Sequence, residues 1–373
     1  MALPGEDLGR AMRDAYPELD GVREVAGEVP VYLVGGAVRD LLLGRGRADI
    51  DLVVEGDASA LAARLGAETT EHARFATAKV SLDGHELDIA TARAETYPQP
   101  GALPEVRPAR LEEDLARRDF TINAMAIPLA GQATLIDPRH GRADLEDGAL
   151  RVLHENSFVD DPTRALRAAR YAARFGFAPE PRSEELLRAA DLATVSRERH
   201  KAELLRIAAE PPAPQAFELL AEWGLAELRD GGVELAARVA ELLASPPWEG
   251  VAPRDRAVLI AALGPAGGEV ELSGATPDQP SEAVELARGH RPVELVLARA
   301  MGAEWLDRYL EEWRSVQLEV DGEDLIAAGV AEGPAVGRGL REAMRRKLDG
   351  EIANREQELR IALEAARRPD EVG

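Results

Sequence analysis

Val31-Tyr32-Leu33-Val34-Gly35-Gly36-Ala37-Val38-Arg39-Asp40-Leu41-Leu42-Leu43-Gly44, with Asp49-Ile50-Asp51-Leu52-Val53-Val54 a few residues on, is the stretch that decides the fold of this chain. A short apolar run ends in two glycines, and Ala37–Leu43 then carries helical spacing. Glycine permits a sharp strand-to-helix turn and close approach of another group to the main chain. Ile50–Val54 reads as a second strand, closed by Glu55-Gly56-Asp57, and Ala58–Leu65 as the helix after it. Thr77–Leu82 and Glu86–Ala90 read as strands joined by Asp83-Gly84, a strong hairpin signal. Residues 1–147 are therefore expected to form a mixed α/β unit.

Asp49 and Asp51 stand two apart at the start of a strand, so their carboxylates share one face. Beside a triphosphate such a pair suits Mg2+, which prefers oxygen ligands and keeps water and phosphate in its shell. Both are candidate metal ligands and catalytic groups. Asp88, on the neighbouring strand, is the candidate third carboxylate. Glu86 on the same strand face is its rival, and an ion pair with Arg93 is the structural use of Asp88. Gly35, Gly36 and Arg39 can offer backbone N–H groups and a cation to a phosphate, although many folds contain such a turn.

After Asp147 the strand signals nearly vanish. Ala/Leu/Arg/Glu stretches with helical period run over 161–175, 183–192, 197–209, 215–228, 233–244, 255–263, 281–287, 293–301, 303–315 and 337–367. Pro211-Pro212-Ala213-Pro214, Pro246-Pro247 and residues 264–280 punctuate them. The fold class is thus α+β, a small α/β unit followed by helices.

The chain has 373 residues, no cysteine and a formal charge of −23. Thiolate catalysis, disulfides and cysteine-based zinc sites are excluded. The first residues lack the pattern of a signal peptide and no apolar run is long enough to span a bilayer, so a reducing, cytoplasmic setting with no membrane partner is expected. The charge is uneven. Residues 211–337 hold 9 basic and 23 acidic residues, whereas residues 160–210 hold 10 and 9. Screening confines charge effects to roughly 8–10 Å at physiological salt, so a local basic stripe can still bind phosphate.

Three ordered blocks carry a resemblance to a known family. Val31 to Ala58 resembles the head signature of class II tRNA nucleotidyltransferases and bacterial poly(A) polymerases. Asp114-Leu115-Ala116-Arg117-Arg118-Asp119-Phe120-Thr121-Ile122-Asn123-Ala124 is similar to their Arg-Arg-Asp motif, and Asp160-Asp161-Pro162-Thr163-Arg164 to their nucleotide-selecting motif. The last departs from the usual Glu-Asp start in having Asp160. Val320–Leu325 and Glu332–Gly337 resemble the C-terminal region. The resemblance implies a nucleotidyltransferase head of the DNA polymerase beta-like kind (1–147), then a helical neck (148–210), body (211–300) and tail (301–373). It implies metals on Asp49 and Asp51, and nucleotide contacts from Gly36, Arg39, Arg118, Asp161, Arg164, Arg167 and Arg170. Asp114 and Asp119 would support the ribose and the arginine pair.

The third block also has a logic of its own. Three apart on a helix, Asp161 and Arg164 would be neighbours. A carboxylate only accepts hydrogen bonds and a guanidinium only donates. Cytosine and adenine present an amino donor beside a ring-nitrogen acceptor; guanine and uracil present the reverse. An Asp/Arg pair therefore matches C and A and rejects G and U. Alone, this segment would read as an amphipathic helix with a solvated arginine face.

The Pro- and Gly-containing segment Thr91–Val106 suits a loop that changes shape. In the resembled family a loop here accompanies the switch from C to A addition, and its presence favours CCA or A addition over CC addition. Arg338, Arg341, Arg345, Arg346 and Lys347 are candidate contacts for a tRNA acceptor arm; a solvated helix face is the plainer alternative. The six histidines are scattered without ligand spacing, which rejects an accompanying phosphohydrolase domain. The expected activity is addition of C, C and A to tRNA 3′ ends from CTP and ATP with Mg2+. A-only addition, poly(A) synthesis and non-catalytic RNA binding are the alternatives.

Overall fold

The computed structural model describes residues 5–45, 49–66, 70–72, 77–82 and 84–368. They form two compact units, residues 1–207 with 215–226, and residues 208–214 with 227–373. Asp83, of the expected hairpin turn, lies outside the described residues.

In the first unit, α1 (Gly5–Ala15) and α2 (Leu19–Ala26) precede the sheet. Then come β1 (Val31–Val34), α3 (Gly36–Leu42), β2 (Ile50–Val54) and α4 (Ala58–Arg64), each within a residue of the sequence expectation. β3 (Thr70–His72), β4 (Thr77–Leu82) and β5 (His85–Thr91) follow. β6 (Arg93–Thr96) and β7 (Glu105–Pro108) lead to α5 (Leu111–Ala116) and β8 (Ala126–Pro128). The main sheet runs β3-β4-β5-β2-β1-β8, and β2 and β5 are parallel, with Asp51 opposite Asp88. Leu33, Ile50, Leu52, Leu87 and Ile89 are fully buried beneath it, each worth about 1.5–3 kcal/mol. Asp57 caps α4 by accepting from the Ser59 and Ala60 N–H groups, which satisfies donors the helix cannot.

The segment expected to be a loop between 91 and 106 is instead largely a β-hairpin. β6 and β7 pair antiparallel from Arg93↔Pro108 to Thr96↔Glu105, and ion pairs from Glu95 hold its base, as described below. α6 (Gly141–Asp147), β9 (Ala149–Leu150), α7 (Ser157–Asp160), α8 (Thr163–Phe175), β10 (Ala178–Pro179), α9 (Pro181–Arg188), α10 (Arg197–Ala209) and α11 (Ala213–Glu222) follow. The alanine face of α8 is buried, and Phe120 meets Tyr171 edge-on at 5.9 Å, which seats α8 on the Arg-Arg-Asp segment.

The second unit is helical: α12 (Gly232–Leu242), α13 (Arg254–Leu263), α14 (Gly268–Gly274), α15 (Pro280–Ala287), α16 (Pro292–Ala300), α17 (Trp305–Arg308), α18 (Gly322–Ala327), α19 (Pro334–Leu348) and α20 (Arg355–Ala366). The single helix expected over 337–367 is two, because Gly350 turns at φ +78° and the Asn354 side chain caps α20. α14 lies inside a segment expected to be a joint. α19 and α20 cross closely: a Cβ on Gly339 would stand 2.4 Å from the Ala362 carbonyl oxygen. No described helix is long and apolar enough to cross a membrane.

Candidate active site

β2 and β5 bring three carboxylates to one place. Asp49, Asp51 and Asp88 line a cavity of about 670 Å3, and Glu86 does not. Burial pushes the Asp51 carboxyl up to about 6; Arg118 opposes the rise, while Asp88 and Asp49 add to it. Gly35 makes the wall thin. Its φ is +66°, and a Cβ there would lie 2.9 Å from Arg118 Nη1 and 3.5 Å from Asp51 Oδ2. Only glycine suits that position.

Asp88 pairs with Lys79 at 3.5 Å, while Arg93 turns to Glu95, so the structural alternative, an Asp88–Arg93 ion pair, is not the one formed. The Asp49 and Asp51 carboxylates have no hydrogen-bond or ion-pair partner among the described residues. A pair of crowded carboxylates with no direct ion pair of their own fits a hard divalent ion. Among the described residues no set of three His, Cys, Asp or Glu side chains closes on one metal. Two carboxylates, with water and triphosphate oxygens completing the shell, match that arrangement.

Arginines form the next layer. Asp114, with no solvent exposure, accepts from Arg117 Nη2 at 2.7 Å and Arg118 Nη2 at 2.9 Å. Burial would raise the Asp114 carboxyl, and Arg118 and Arg117 hold it below its ordinary value. Arg39 is buried and engaged: Nε donates to Asp40 at 2.8 Å and Nη1 to Asn123 Oδ1 at 2.7 Å, and its guanidinium lies 4.5 Å from the Phe175 ring centre. Asn123 donates in turn to Asp119, whose other oxygen meets Arg167 at 2.7 Å. Burial would raise Asp119; Arg167 and its hydrogen bonds lower it. One polar chain therefore ties α3 to α8, and Asp119 serves Arg167.

The nucleotide-selecting segment differs from its expected geometry. Asp161 is not on the helix. It sits in extended backbone between α7 and α8, because the residue before a proline is driven out of the helical region. Its Oδ1 accepts from the Thr163 N–H at 3.1 Å and hydroxyl at 2.6 Å, and it pairs with Arg199 at 2.8 Å. Arg164 is buried and donates to Ser157 Oγ at 2.7 Å and the Arg117 carbonyl at 2.8 Å. The two groups thus have separate anchors, yet both line the cavity with Gly36, Arg39, Arg118, Arg167 and Arg170. The Arg170 guanidinium lies 4.8 Å from the Tyr171 ring centre.

Sequence reasoning gave no role of their own to Glu95, Tyr97, Arg117, Asn123 and Arg199. Glu95 pairs with both Arg93 and Arg117 and accepts from the Tyr97 hydroxyl. Arg117 adjoins Arg118 in the second block and was legible there. Arg199 lies 38 residues from Asp161 and had no local signal.

In the second unit the expected basic stripe is mostly committed. Arg338 donates to the Ala365 and Ala366 carbonyls, Arg345 and Arg346 pair with Glu342, and Lys347 pairs with Glu358. Arg341 is the member without a partner among the described residues.

Comparisons with known proteins give the family. Residues 31–151 match the Poly A polymerase head domain. The CC-adding tRNA nucleotidyltransferase of Deinococcus radiodurans is 36% identical over 92% of this chain and 91% of its own length. The A-adding tRNA nucleotidyltransferase of Halalkalibacterium halodurans is 46% identical, over 51% of this chain and 48% of its own length; the chain thus spans about half of that relative. The structure of the Thermotoga maritima CCA-adding enzyme complexed with tRNA superposes with a TM-score of 0.72 at 28% identity, covering 96% of this chain and 98% of that one. Fold and site together define a nucleotidyltransferase, with a mixed-sheet head followed by helices. The chain belongs to the tRNA nucleotidyltransferase family, whose members generally use divalent metal ions.

Proposed function

We propose that this protein adds C, C and A in turn to the 3′ end of tRNA, using CTP and ATP without a nucleic-acid template. The observation that carries the proposal is the shared cavity: metal-type carboxylates on β2 and β5, arginines between, and an acceptor–donor pair, Asp161 and Arg164, from the α8 region. Asp49 and Asp51 hold Mg2+, with Asp88 in support. A divalent ion, when bound there, would supply a lowered pKa at the attacking hydroxyl and charge neutralisation at the leaving pyrophosphate. Arg118, with Gly35 and Gly36 beside it, cradles the triphosphate; Arg39 and Arg167 brace that wall. Asp161 accepts from the base amino group and Arg164 donates to the ring nitrogen, so CTP and ATP are taken and UTP and GTP are refused. The tRNA 3′-hydroxyl attacks the α-phosphorus, forming one P–O bond as the bond to pyrophosphate breaks.

Residues 1–147, 148–210, 211–300 and 301–373 act as head, neck, body and tail, with the acceptor arm held by the helical part in a cytoplasmic setting. The full-length match to a CC-adding relative favours a second reading, addition of CC alone; the β6–β7 hairpin favours retention of A addition. Labelled CTP and ATP, offered separately and together to tRNA ending at the discriminator base, at C and at CC, decide. CCA addition gives two C and then one A. A stop at CC supports the second reading, and extension of the CC end alone with ATP indicates A-only addition. Incorporation that survives Asp49→Ala with Asp51→Ala refutes the site.

A further inference from the structure

Arg199, on α10, does not line the cavity, yet it holds one of the groups that does. Its Nη2 donates to Asp161 Oδ1 at 2.8 Å, and its Nη1 donates to the Gly101 carbonyl at 2.8 Å. The same Oδ1 takes two hydrogen bonds from Thr163. Three donors saturate that oxygen. Asp161 Oδ2 has no partner among the described residues, so it is the acceptor left for a ligand. The other end of the guanidinium rests on a fixed oxygen. Gly101 has φ +69°, and a Cβ there would lie 2.6 Å from the Thr194 carbonyl oxygen; its N–H donates to the Val159 carbonyl at 3.2 Å.

This clamp answers a problem set by the local sequence. Asp161 and Arg164 are opposite charges three residues apart, and a direct ion pair would satisfy both and blunt their reading of a base. Arg164 is kept busy by Ser157 and the Arg117 carbonyl. Asp161 is kept busy, on one oxygen only, by Arg199 and Thr163.

We infer that Arg199 is a positioning residue for nucleotide choice: it holds Asp161 off Arg164 and turns Oδ2 toward the amino group of cytosine or adenine. The inference rests on the proposed activity for the identity of its substrates. Wild type, Arg199→Ala and Arg199→Lys are compared in equilibrium binding of CTP, UTP, ATP and GTP, and in steady-state extension of tRNA. Arg199→Ala is expected to lose about tenfold of the CTP-over-UTP and ATP-over-GTP preference. KM for CTP and ATP rises while kcat, KM for tRNA and the melting midpoint change little. Arg199→Lys, which keeps the charge but not the fork, recovers part of the preference.

Wild-type preference retained in Arg199→Ala overturns the inference. So does equal weakening of all four nucleotides with a fallen melting midpoint, or a wild type without preference. If wild type fails to extend tRNA but prefers CTP in binding, and Arg199→Ala erases that preference, the inference stands and the activity proposal fails.

Discussion

Asp51→Asn should abolish activity and, in the metal-free protein, raise stability. Folding buries Asp51 beside Asp49 and Asp88, and its carboxyl rises from 3.8 to about 6. That gap is worth about 3 kcal/mol. The sign follows from proton binding. Below pH 3.8 both folded and unfolded chains hold the proton, and the substitution gains nothing electrostatically. Between 3.8 and 6 the unfolded chain releases its proton first, so wild-type stability falls as pH rises. Above 6 the full deficit is present, and asparagine, which cannot ionise, escapes it. A stabilisation of about 3 kcal/mol raises the midpoint of a domain of this size by roughly 6–12 °C. Scanning calorimetry of both proteins in EDTA at pH 4, 6 and 8 measures it. The gap should open with pH and shrink when Mg2+ is added, because the ion stabilises only the intact carboxylate pair. A variant less stable than wild type at pH 8, or a gap equal at pH 4 and pH 8, refutes the reasoning.

Asp114→Ala leaves Arg118 without its buried carboxylate and Arg117 with Glu95 alone, and should cost about 3–5 kcal/mol by urea denaturation. Glu358→Ala removes the buried acceptor of the Glu319 and Val320 N–H groups and of Lys347; it should cost about 3 kcal/mol while leaving CTP affinity unchanged by calorimetry. Arg341→Glu should raise KM for tRNA severalfold and more at low salt. Arg345→Glu, whose partners are Glu342 and Asp349, should instead lower the melting midpoint with KM for tRNA little changed.

The start of the chain was legible because its signals are local. β1, β2 and the Gly35-Gly36 turn follow from four- and five-residue apolar runs and from a backbone angle glycine adopts freely. α1 and α2 were not anticipated, although their apolar faces are buried in the same unit. The segment 91–106 carries Pro and Gly, which argue for a loop, but Glu95 pairs with Arg117, far along the chain, and holds the hairpin base. Asp49, Asp51, Asp88, Asp161, Arg39, Arg118, Arg164, Arg167 and Arg170 were legible as residues, and these line one cavity, whereas Glu86 and Asp114 do not.

By itself the sequence determined which groups the site contains: carboxylates at alternate strand positions, two adjacent arginines, and an acceptor and a donor three residues apart. Backbone periodicity and side-chain chemistry suffice for that, since neither depends on distant residues. Only the tertiary structure decided how those groups are used. A long charged side chain reaches many partners, and long-range packing selects among them. Arg39 is spent on Asp40 and Asn123, Asp119 on Arg167, and four of the five tail cations on neighbours within their own unit. Asp161 and Arg164, adjacent on paper, are held by different anchors because Pro162 breaks the helix between them and α10 delivers Arg199 to the carboxylate.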